Sequence, residues 1–323
     1  MGNSSVSIAE LVSKLPDPDE NGLLSNIDKE SVENVIAEIH KAGRDGIVGL
    51  IDMLVEPGKA DDVKPRYALH CLAVYVCKLK DKKHRRAFAE ILASQLDRDR
   101  PKQIKGYLIR QLQVAGGEEV AGALGKFLLD EELCEYAAQA LVAPAASRLR
   151  SKPAGGDGAA EQLAALAAGQ LRDALPNAKG KCRLTVIQNL GVVRDRKSVD
   201  ALREAVGDED RDIRLAAAWG LANIGDPGSV DVVLRAADVQ YPYERIKATQ
   251  ACLLLAENLL AAGRLVPSPA EGTAREEWDA INLEADPSTA LGAGIYAHLR
   301  DTRTDPAEQY LRELAEGALA AKK

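Results

Sequence analysis

Residues 208–229 read DEDRDIRLAAAWGLANIGDPGS, and this stretch decides the fold class. Its centre is a helix-length run in which Ile213, Ala217 and Leu221 recur at helical spacing on one face. Trp219 lies among the apolar residues of the opposite face, so the helix is apolar almost all round. Such a helix is normally buried on both sides. We therefore expect it, together with Trp219, in the core of a stack of helices.

The same stretch marks the ends of two helices. Asp208 and Asp210 precede the apolar run, and either can serve as its N-cap. Gly225 ends the run. Asp226 then offers an N-cap for a second helix, with Pro227 as its first residue. The local unit is therefore two short helices joined by a tight turn.

This unit recurs along the chain. Leu184 and Leu190 match Leu215 and Leu221 at a spacing of 31 residues, and Ser198-Val199-Asp200 matches Ser229-Val230-Asp231 at the same spacing. Fainter units end upstream at Leu72, Leu112 and Leu141. A period of this length is typical of stacked two-helix repeats, in which each unit packs only on its neighbours.

The repeated residues carry a family resemblance. Asp208, Ile213-Arg214, the alanines 216–218 and the turn 224–229 resemble a HEAT repeat, most of all the HEAT-like units of the phycobilisome-lyase type. The resemblance is strong over residues 181–238 and partial over 62–142. It implies an all-α, right-handed α-α superhelix, that is, a HEAT-like or armadillo-like α-solenoid of stacked helical hairpins with a divergent helical C-terminal cap.

The predicted organisation has five parts. They are an N-terminal helical cap (1–60), divergent HEAT-like repeats (61–150), a flexible Gly-rich loop (151–158), regular repeats of period 31 (159–263) and a helical C-terminal cap (264–323). The regular repeats end at a Pro-rich break, 265–272, which precedes an expected helix at 274–281 that contains Trp278.

Composition excludes several classes. Aromatic residues make up only 4% of the chain, which argues against an all-β fold. No apolar run approaches the ~20 residues that a membrane-spanning helix needs. The N-terminus has no apolar signal segment, which favours a cytoplasmic protein, although an exported protein after removal of its signal peptide would look the same. Five irregularly spaced cysteines argue against a disulfide framework and are expected to be small buried side chains.

Signals for catalysis are weak. None of the four histidines (His40, His70, His84 and His298) has a second histidine or cysteine at i+3 or i+4, and no nucleotide, hydrolase or zinc-protease motif occurs. Acidic pairs such as Glu118-Glu119 fall at predicted helix starts, where they favour the helix dipole. The sequence therefore predicts no catalytic residue, no cofactor and no metal ligand.

Arginines form a ladder at one-repeat spacing: Arg183, Arg214 and Arg245. Equivalent positions line up along a solenoid, so these side chains form a row. We interpret the row as structural, because the resemblance to HEAT repeats implies a bond from such an arginine to the turn aspartate, and Asp208 precedes Arg214 by six residues. The alternative is a cationic row for an acidic ligand.

Basic residues are concentrated between Lys78 and Arg110. This segment contains eleven lysines and arginines but only four acidic residues, although the whole chain has a net charge of −7. They cluster in two predicted turns, and turns of stacked hairpins meet along an edge. We therefore predict a basic edge that binds an acidic partner. The candidate residues are Lys82, Lys83, Arg85, Arg86, Arg98, Arg100 and Lys102.

A non-catalytic scaffold that binds a protein, one with an acidic segment, is the leading functional interpretation. An α-solenoid offers an extended surface for such binding. Two alternatives remain: a HEAT-like lyase acting on a tetrapyrrole-type ligand, and a HEAT-like nucleic-acid-binding protein such as a base-excision glycosylase. The acidic balance of the chain and the scarcity of aromatic residues near the lysines disfavour nucleic acid.

Overall fold

The computed structural model describes residues 7–19, 27–151, 158–263 and 287–320. Within these ranges the chain forms sixteen α-helices and no strand, so the fold is all-α. The α-helices are α1 (Ile8–Ser13), α2 (Lys29–Lys41), α3 (Gly43–Asp52), α4 (Val63–Lys78), α5 (Lys82–Leu96), α6 (Lys102–Ala115), α7 (Ala121–Gly125), α8 (Cys134–Ser151), α9 (Gly158–Ala174), α10 (Gly180–Val192), α11 (Val199–Ala205), α12 (Arg211–Ile224), α13 (Val230–Ala236), α14 (Pro242–Gly263), α15 (Pro287–Thr302) and α16 (Gln309–Ala320).

The first compact unit, Met1–Ala178, is a stack of helices in two layers. Helices α2, α4, α6 and α8 pack one on the next to form the first layer. Helix α5 packs on α3, α4, α6 and α7, and α7 packs on α9, which forms the second layer. Between the layers lies a core of fully buried side chains that includes Leu72, Phe88 and Leu112.

The second unit, Lys179–Lys323, repeats the two-layer plan with clearer regularity. Helices α10, α12, α14 and α15 pack in succession, and each of the short helices α11 and α13 packs against the long helix that follows it. Helix α16 packs on α15 and, more lightly, on α14. Each unit is thus an α-solenoid stack of the kind that the sequence predicts.

Side chains confirm the 31-residue register. Leu190 and Leu221, which the alignment places at equivalent positions, are both 0% exposed. Ser198 and Ser229 are both buried, and each ends a short 3-10 turn that leads into α11 or α13. Deep burial at both copies follows from the stacking of consecutive repeats.

The predicted ends of α12 are also present. The side chain of Asp210 caps the helix by accepting a hydrogen bond from the backbone N–H of Asp212. Gly225 closes the helix in the left-handed conformation, at φ +69°, which glycine adopts without the strain of a Cβ atom. Asp226 precedes the next turn, but its carboxylate binds the side chains of Arg203 and Ser229 instead of the backbone.

Two glycines allow α10 and α12 to approach closely. A Cβ atom on Gly191 would lie 2.6 Å from the Cα atom of Gly220, a distance at which atoms overlap. Backbone-to-backbone contact of this kind requires the absence of a side chain. The glycine pair therefore fixes the spacing between these two helices.

The first unit ends at Ala178, about 20 residues after the predicted loop at 151–158. Helices α8 and α9, which flank that loop, pack against each other within the first unit. Residues 152–157 of the loop lie outside the described residues, as do the break at 265–272, the expected helix at 274–281 and Trp278.

Candidate interaction surfaces

The three arginines of the ladder link consecutive elements of the second unit. Arg183 Nε donates to Asp208 Oδ2 at 3.1 Å, and Arg214 Nε donates to Glu244 Oε1 at 2.8 Å. Arg245 Nε donates to Glu308 Oε1 at 2.5 Å. In each pair the carboxylate belongs to the helical hairpin that follows the one carrying the arginine.

Arg214 and Arg245 also bind their own turns in the same way. Arg214 Nη1 donates to the backbone carbonyls six and five residues before it, at 2.9 and 3.0 Å. Arg245 Nη1 donates to carbonyls at the same two offsets, at 3.5 and 3.2 Å. The expected bond between Arg214 and Asp208 therefore uses the carbonyl of Asp208, while its carboxylate binds Arg183. Since every guanidinium of the ladder is paired with a carboxylate, the geometry favours the structural interpretation over a cationic row for a ligand.

Four of the seven residues in the predicted basic edge are engaged in ion pairs. Arg85 binds both carboxylate oxygens of Glu119, at 2.7 and 3.2 Å. Arg86 pairs with Glu90 one turn along α5, at 3.0 Å. Arg100 pairs with Asp52 at 2.6 Å, and Lys102 pairs with Asp130 and Glu132 at 2.9 and 3.0 Å. The contacts of Arg85, Arg100 and Lys102 link neighbouring elements, whereas that of Arg86 lies within α5.

The structure also separates the predicted edge into two places, which corrects the prediction that its members lie side by side. Lys82, Lys83, Arg85 and Arg86 lie in the first turn or two of α5, whereas Arg98, Arg100 and Lys102 follow its C-terminus. A helix of this length spans roughly 22 Å. The two turns are consecutive, so they lie at opposite ends of α5 rather than at equivalent ends of adjacent hairpins.

At the N-terminal end of α5, four lysines have no acidic partner among the described residues. Lys78, Lys80, Lys82 and Lys83 flank the turn between α4 and α5, and all four are exposed. None of them forms an ion pair within the described parts of the chain, and the nearest acid in sequence, Asp81, caps α5 by accepting from the backbone N–H of Lys83. We refer to these four lysines as the α4–α5 corner.

Trp219 lies at the surface of the second unit, so its predicted place in the core is wrong. Its side chain is 45% exposed, between α12 neighbours that are buried. Tyr243 on α14 is 50% exposed, and the guanidinium of Arg211 stacks over its ring at 5.3 Å. Tyr310 on α16 is 44% exposed. A helix that is apolar all round can thus present one large aromatic side chain to solvent.

The repeat alignment relates these side chains to one another. Gln188 and Gln250 occupy the positions of Trp219 in the preceding and following long helices, and Gln250 Nε2 lies 3.3 Å from the hydroxyl oxygen of Tyr310. One turn earlier on the same helices, Leu184, Leu215 and Ile246 are half-buried. We call the surface formed by Gln188, Leu215, Trp219, Tyr243, Ile246, Gln250 and Tyr310 the aromatic face. Two amides at equivalent positions are the sequence signal that could have placed Trp219 at the surface.

Comparison with known families agrees with the repeat analysis. Residues 169–252 match the family of HEAT repeats. This segment is therefore similar to HEAT repeats. It contains Arg183, Arg214, Arg245 and Trp219, and it therefore includes the arginine ladder and the centre of the aromatic face.

Solved structures with partial likeness include two engineered proteins and an enzyme. One engineered protein is 16% identical, with 97% of this chain and 77% of that chain covered and a TM-score of 0.45. A second engineered protein is 17% identical, with 85% of this chain and 95% of that chain covered and a TM-score of 0.34. Human deoxyhypusine hydroxylase in complex with glycerol is 16% identical, with 90% and 96% covered and a TM-score of 0.26. No curated protein matches the sequence.

Outside residues 169–252, the structure brings two histidines into contact that no sequence pattern had linked. His40 Nε2 at the end of α2 lies 3.1 Å from His84 Nδ1 at the start of α5, and Tyr75 of α4 meets the His40 ring edge-on. Burial, and to a lesser degree the neighbouring His84, lower the pKa of His40. No cluster of three or more potential metal ligands occurs in the described residues.

An open groove of about 440 Å³ lies between α1 and α2. Its lining includes Asp28, which caps α2, and Glu38, which pairs with Lys41. Three acidic residues, Asp28, Glu30 and Glu38, line the groove together with Lys14, and no histidine does. No described helix is both long and apolar enough to cross a membrane.

The cysteines follow the prediction in part. Cys134, Cys182 and Cys252 are buried, and burial raises the pKa of Cys252 to about 12. Cys71 is half-buried, and Cys77 is exposed, against the expectation. All five are free thiols.

Proposed function

We propose that this protein is a non-catalytic scaffold that binds a polypeptide partner on the aromatic face of its second unit. The observation that carries the proposal is the exposure of Trp219 in the middle of an otherwise tightly packed helical layer. Tryptophan, tyrosine and arginine are the residues that most often dominate the energy of protein interfaces. Trp219 and Tyr243 are both exposed on the aromatic face, and Arg211 stacks on the ring of Tyr243.

The chemistry of the face suits a polypeptide. Its half-buried Leu215 and Ile246 offer apolar area, while Gln188 and Gln250 offer amides that both donate and accept hydrogen bonds. A peptide backbone presents the matching donors and acceptors. Aromatic side chains with few free torsions are ordered at low entropic cost when a partner binds.

A reducing compartment such as the cytoplasm fits the same proposal. All five cysteines are free, and Cys77 is exposed to solvent. Unpaired, exposed thiols persist best where cellular reductants keep them reduced.

Affinity capture from the native extract, compared between variants, tests the proposal. Trp219→Ala combined with Tyr243→Ala should abolish recovery of the partner, because both hot-spot side chains are lost. Leu166→Ala is the matched control, since Leu166 is an exposed apolar residue (39%) of the first unit. Equal recovery with both variants, each verified as folded by circular dichroism, would remove the aromatic face as the binding site.

A further inference from the structure

The first turn of α5 is charged against its own helix dipole. A helix N-terminus is electropositive, so acidic side chains stabilise it and basic side chains oppose it. Helices α2 and α12 follow the rule, with Glu30 and Asp212 in their first turns. Helix α5 has no acid there and begins instead Lys-Lys-His-Arg-Arg.

Packing explains only part of this sequence. Arg85 holds the turn that follows α6 through Glu119, and Arg86 pairs with Glu90. Lys82 and Lys83 are exposed and, like Lys78 and Lys80 across the turn, have no acidic partner in the described chain. Residues that break a local rule without a structural gain are expected where a function requires them.

We propose that the α4–α5 corner binds a short acidic segment of a partner polypeptide. Charge complementarity carries the proposal: four unpaired ammonium groups flank one turn, and the N-terminal end of α5 adds its positive potential. An extended segment places alternate side chains on one side about 6.6 Å apart, so carboxylates at alternate positions can meet successive lysines. This surface is in the first unit and is independent of the aromatic face.

The extent of the charge favours a peptide over a nucleic acid. The sequence pI is near 5.4, whereas nucleic-acid-binding domains typically exceed about 9. The basic group is confined to one corner, and at physiological salt its field reaches only about 8 Å. A polynucleotide would extend past the corner onto a protein surface of net negative charge.

The corner also lacks the means to enter a membrane. Peripheral membrane binding combines basic residues with apolar side chains that insert among the lipids. Leu79, the apolar residue of the turn, is half-buried against the protein. An acidic polypeptide is therefore the partner that the surface fits.

Fluorescence anisotropy with the full chain tests the proposal. The probe is a short labelled peptide of alternating Glu and Ser, and its Gln/Ser counterpart is the reference. The combined variant Lys78→Gln, Lys80→Gln, Lys82→Gln and Lys83→Gln should bind the Glu/Ser peptide at least tenfold more weakly. Raising the salt concentration should weaken binding to the unaltered protein, because exposed charges are screened.

A matched variant distinguishes binding at the α4–α5 corner from a general effect of the protein's net charge. Lys29→Gln, Arg98→Gln, Lys197→Gln and Arg235→Gln remove the same charge from exposed residues elsewhere, including the far end of α5. This variant should bind the Glu/Ser peptide within twofold of the unaltered protein. Equal losses in the two variants would overturn the proposal.

Two further readouts decide what kind of site this is. Lys82→Glu with Lys83→Glu should abolish binding while keeping or raising Tm, because glutamate suits the first turn of a helix. A lower Tm would show that the lysines are structural and would contradict the proposal. Tighter binding to phosphatidylserine-containing vesicles or to an oligothymidine of equal charge would also contradict it.

Discussion

At the scale of single residues, the large apolar side chains of α12 differ in how far they are exposed to solvent. Leu221 is 0% exposed and Trp219 is 45% exposed, although two positions separate them. The first contributes to the core between repeats, and the second contributes mainly to the surface. Their contributions to stability should therefore differ widely.

We expect Leu221→Ala to lower the free energy of unfolding by about 2–5 kcal/mol, since a buried leucine loses transfer energy and leaves a cavity. Trp219→Ala should lower it by about 1 kcal/mol, in keeping with partial burial. Urea denaturation followed by circular dichroism measures both. A larger loss for Trp219→Ala would place the tryptophan in the core and contradict the assignment.

His40 should make stability depend on pH. Burial and His84 lower the pKa of His40 in the folded protein. Below about pH 6.5, its ordinary value, the unfolded chain binds a proton that the folded chain resists. Stability is therefore full above that pH and declines as pH falls toward the lowered pKa. Thermal melts between about pH 7.5 and about pH 5.5 should show the decline, and His40→Gln should reduce it. An identical decline in the variant would assign the effect to other groups.

Two features of single residues, the exposure of Trp219 and the contact between His40 and His84, were not predicted from the sequence. The pattern around Trp219 is apolar on both faces, and periodicity alone cannot tell a buried face from an exposed one. The amides Gln188 and Gln250 at equivalent repeat positions carry that information. The contact between His40 and His84 leaves no pattern, because it joins two helices that are far apart in sequence.

At the scale of elements, paired arginines join consecutive hairpins of the second unit. Arg214 binds the turn before its own helix and the carboxylate of Glu244 on α14, whose side chain is only 10% exposed. An unpaired carboxylate at that depth is costly. The pair therefore acts as a staple between repeats.

Arg214→Met should lower the free energy of unfolding by about 2–3 kcal/mol, because Glu244 loses a charge-assisted hydrogen bond while the aliphatic stem is kept. Arg211→Met is the control: its pair with Asp212 is exposed and should contribute less than about 1 kcal/mol. Denaturant titration of both variants makes the comparison. Equal losses of stability in the two variants would contradict the proposed link between repeats through Arg214 and Glu244.

The register of elements was predictable from sequence, whereas the partners of charged side chains were not. The 31-residue period placed Leu190 and Leu221 correctly, because stacked repeats require equivalent core positions. The basic edge was wrong as a single surface, because α5 separates its two halves. In addition, three of its members have acidic partners on other elements, and Arg86 has one within α5. Ion pairs between distant segments leave no periodic signal.

At the scale of the whole molecule, the chain folds as two compact units, Met1–Ala178 and Lys179–Lys323. In stacked repeats each element contacts mainly its neighbours, so destabilisation spreads locally. The alternative is a single cooperative transition of the entire chain.

Hydrogen exchange distinguishes these cases. Leu221→Ala should speed amide exchange in α11–α14 and leave protection in α4–α6 unchanged, because local openings follow the weakened repeat. Mass spectrometry of proteolytic fragments reads both regions in one sample. Equal acceleration throughout the chain would show that the two units unfold together.

Site-specific photo-crosslinking tests the central claim, that the aromatic face binds a polypeptide, most directly. A photoreactive phenylalanine analogue replaces Trp219 or Gln250 on the face, or Glu204 or Asp231 on the short helices α11 and α13, and the crosslinked products from native extract are identified. We expect one partner polypeptide to crosslink from positions 219 and 250 and not from 204 or 231. The same products from all four positions, or none from 219 and 250, would contradict the account.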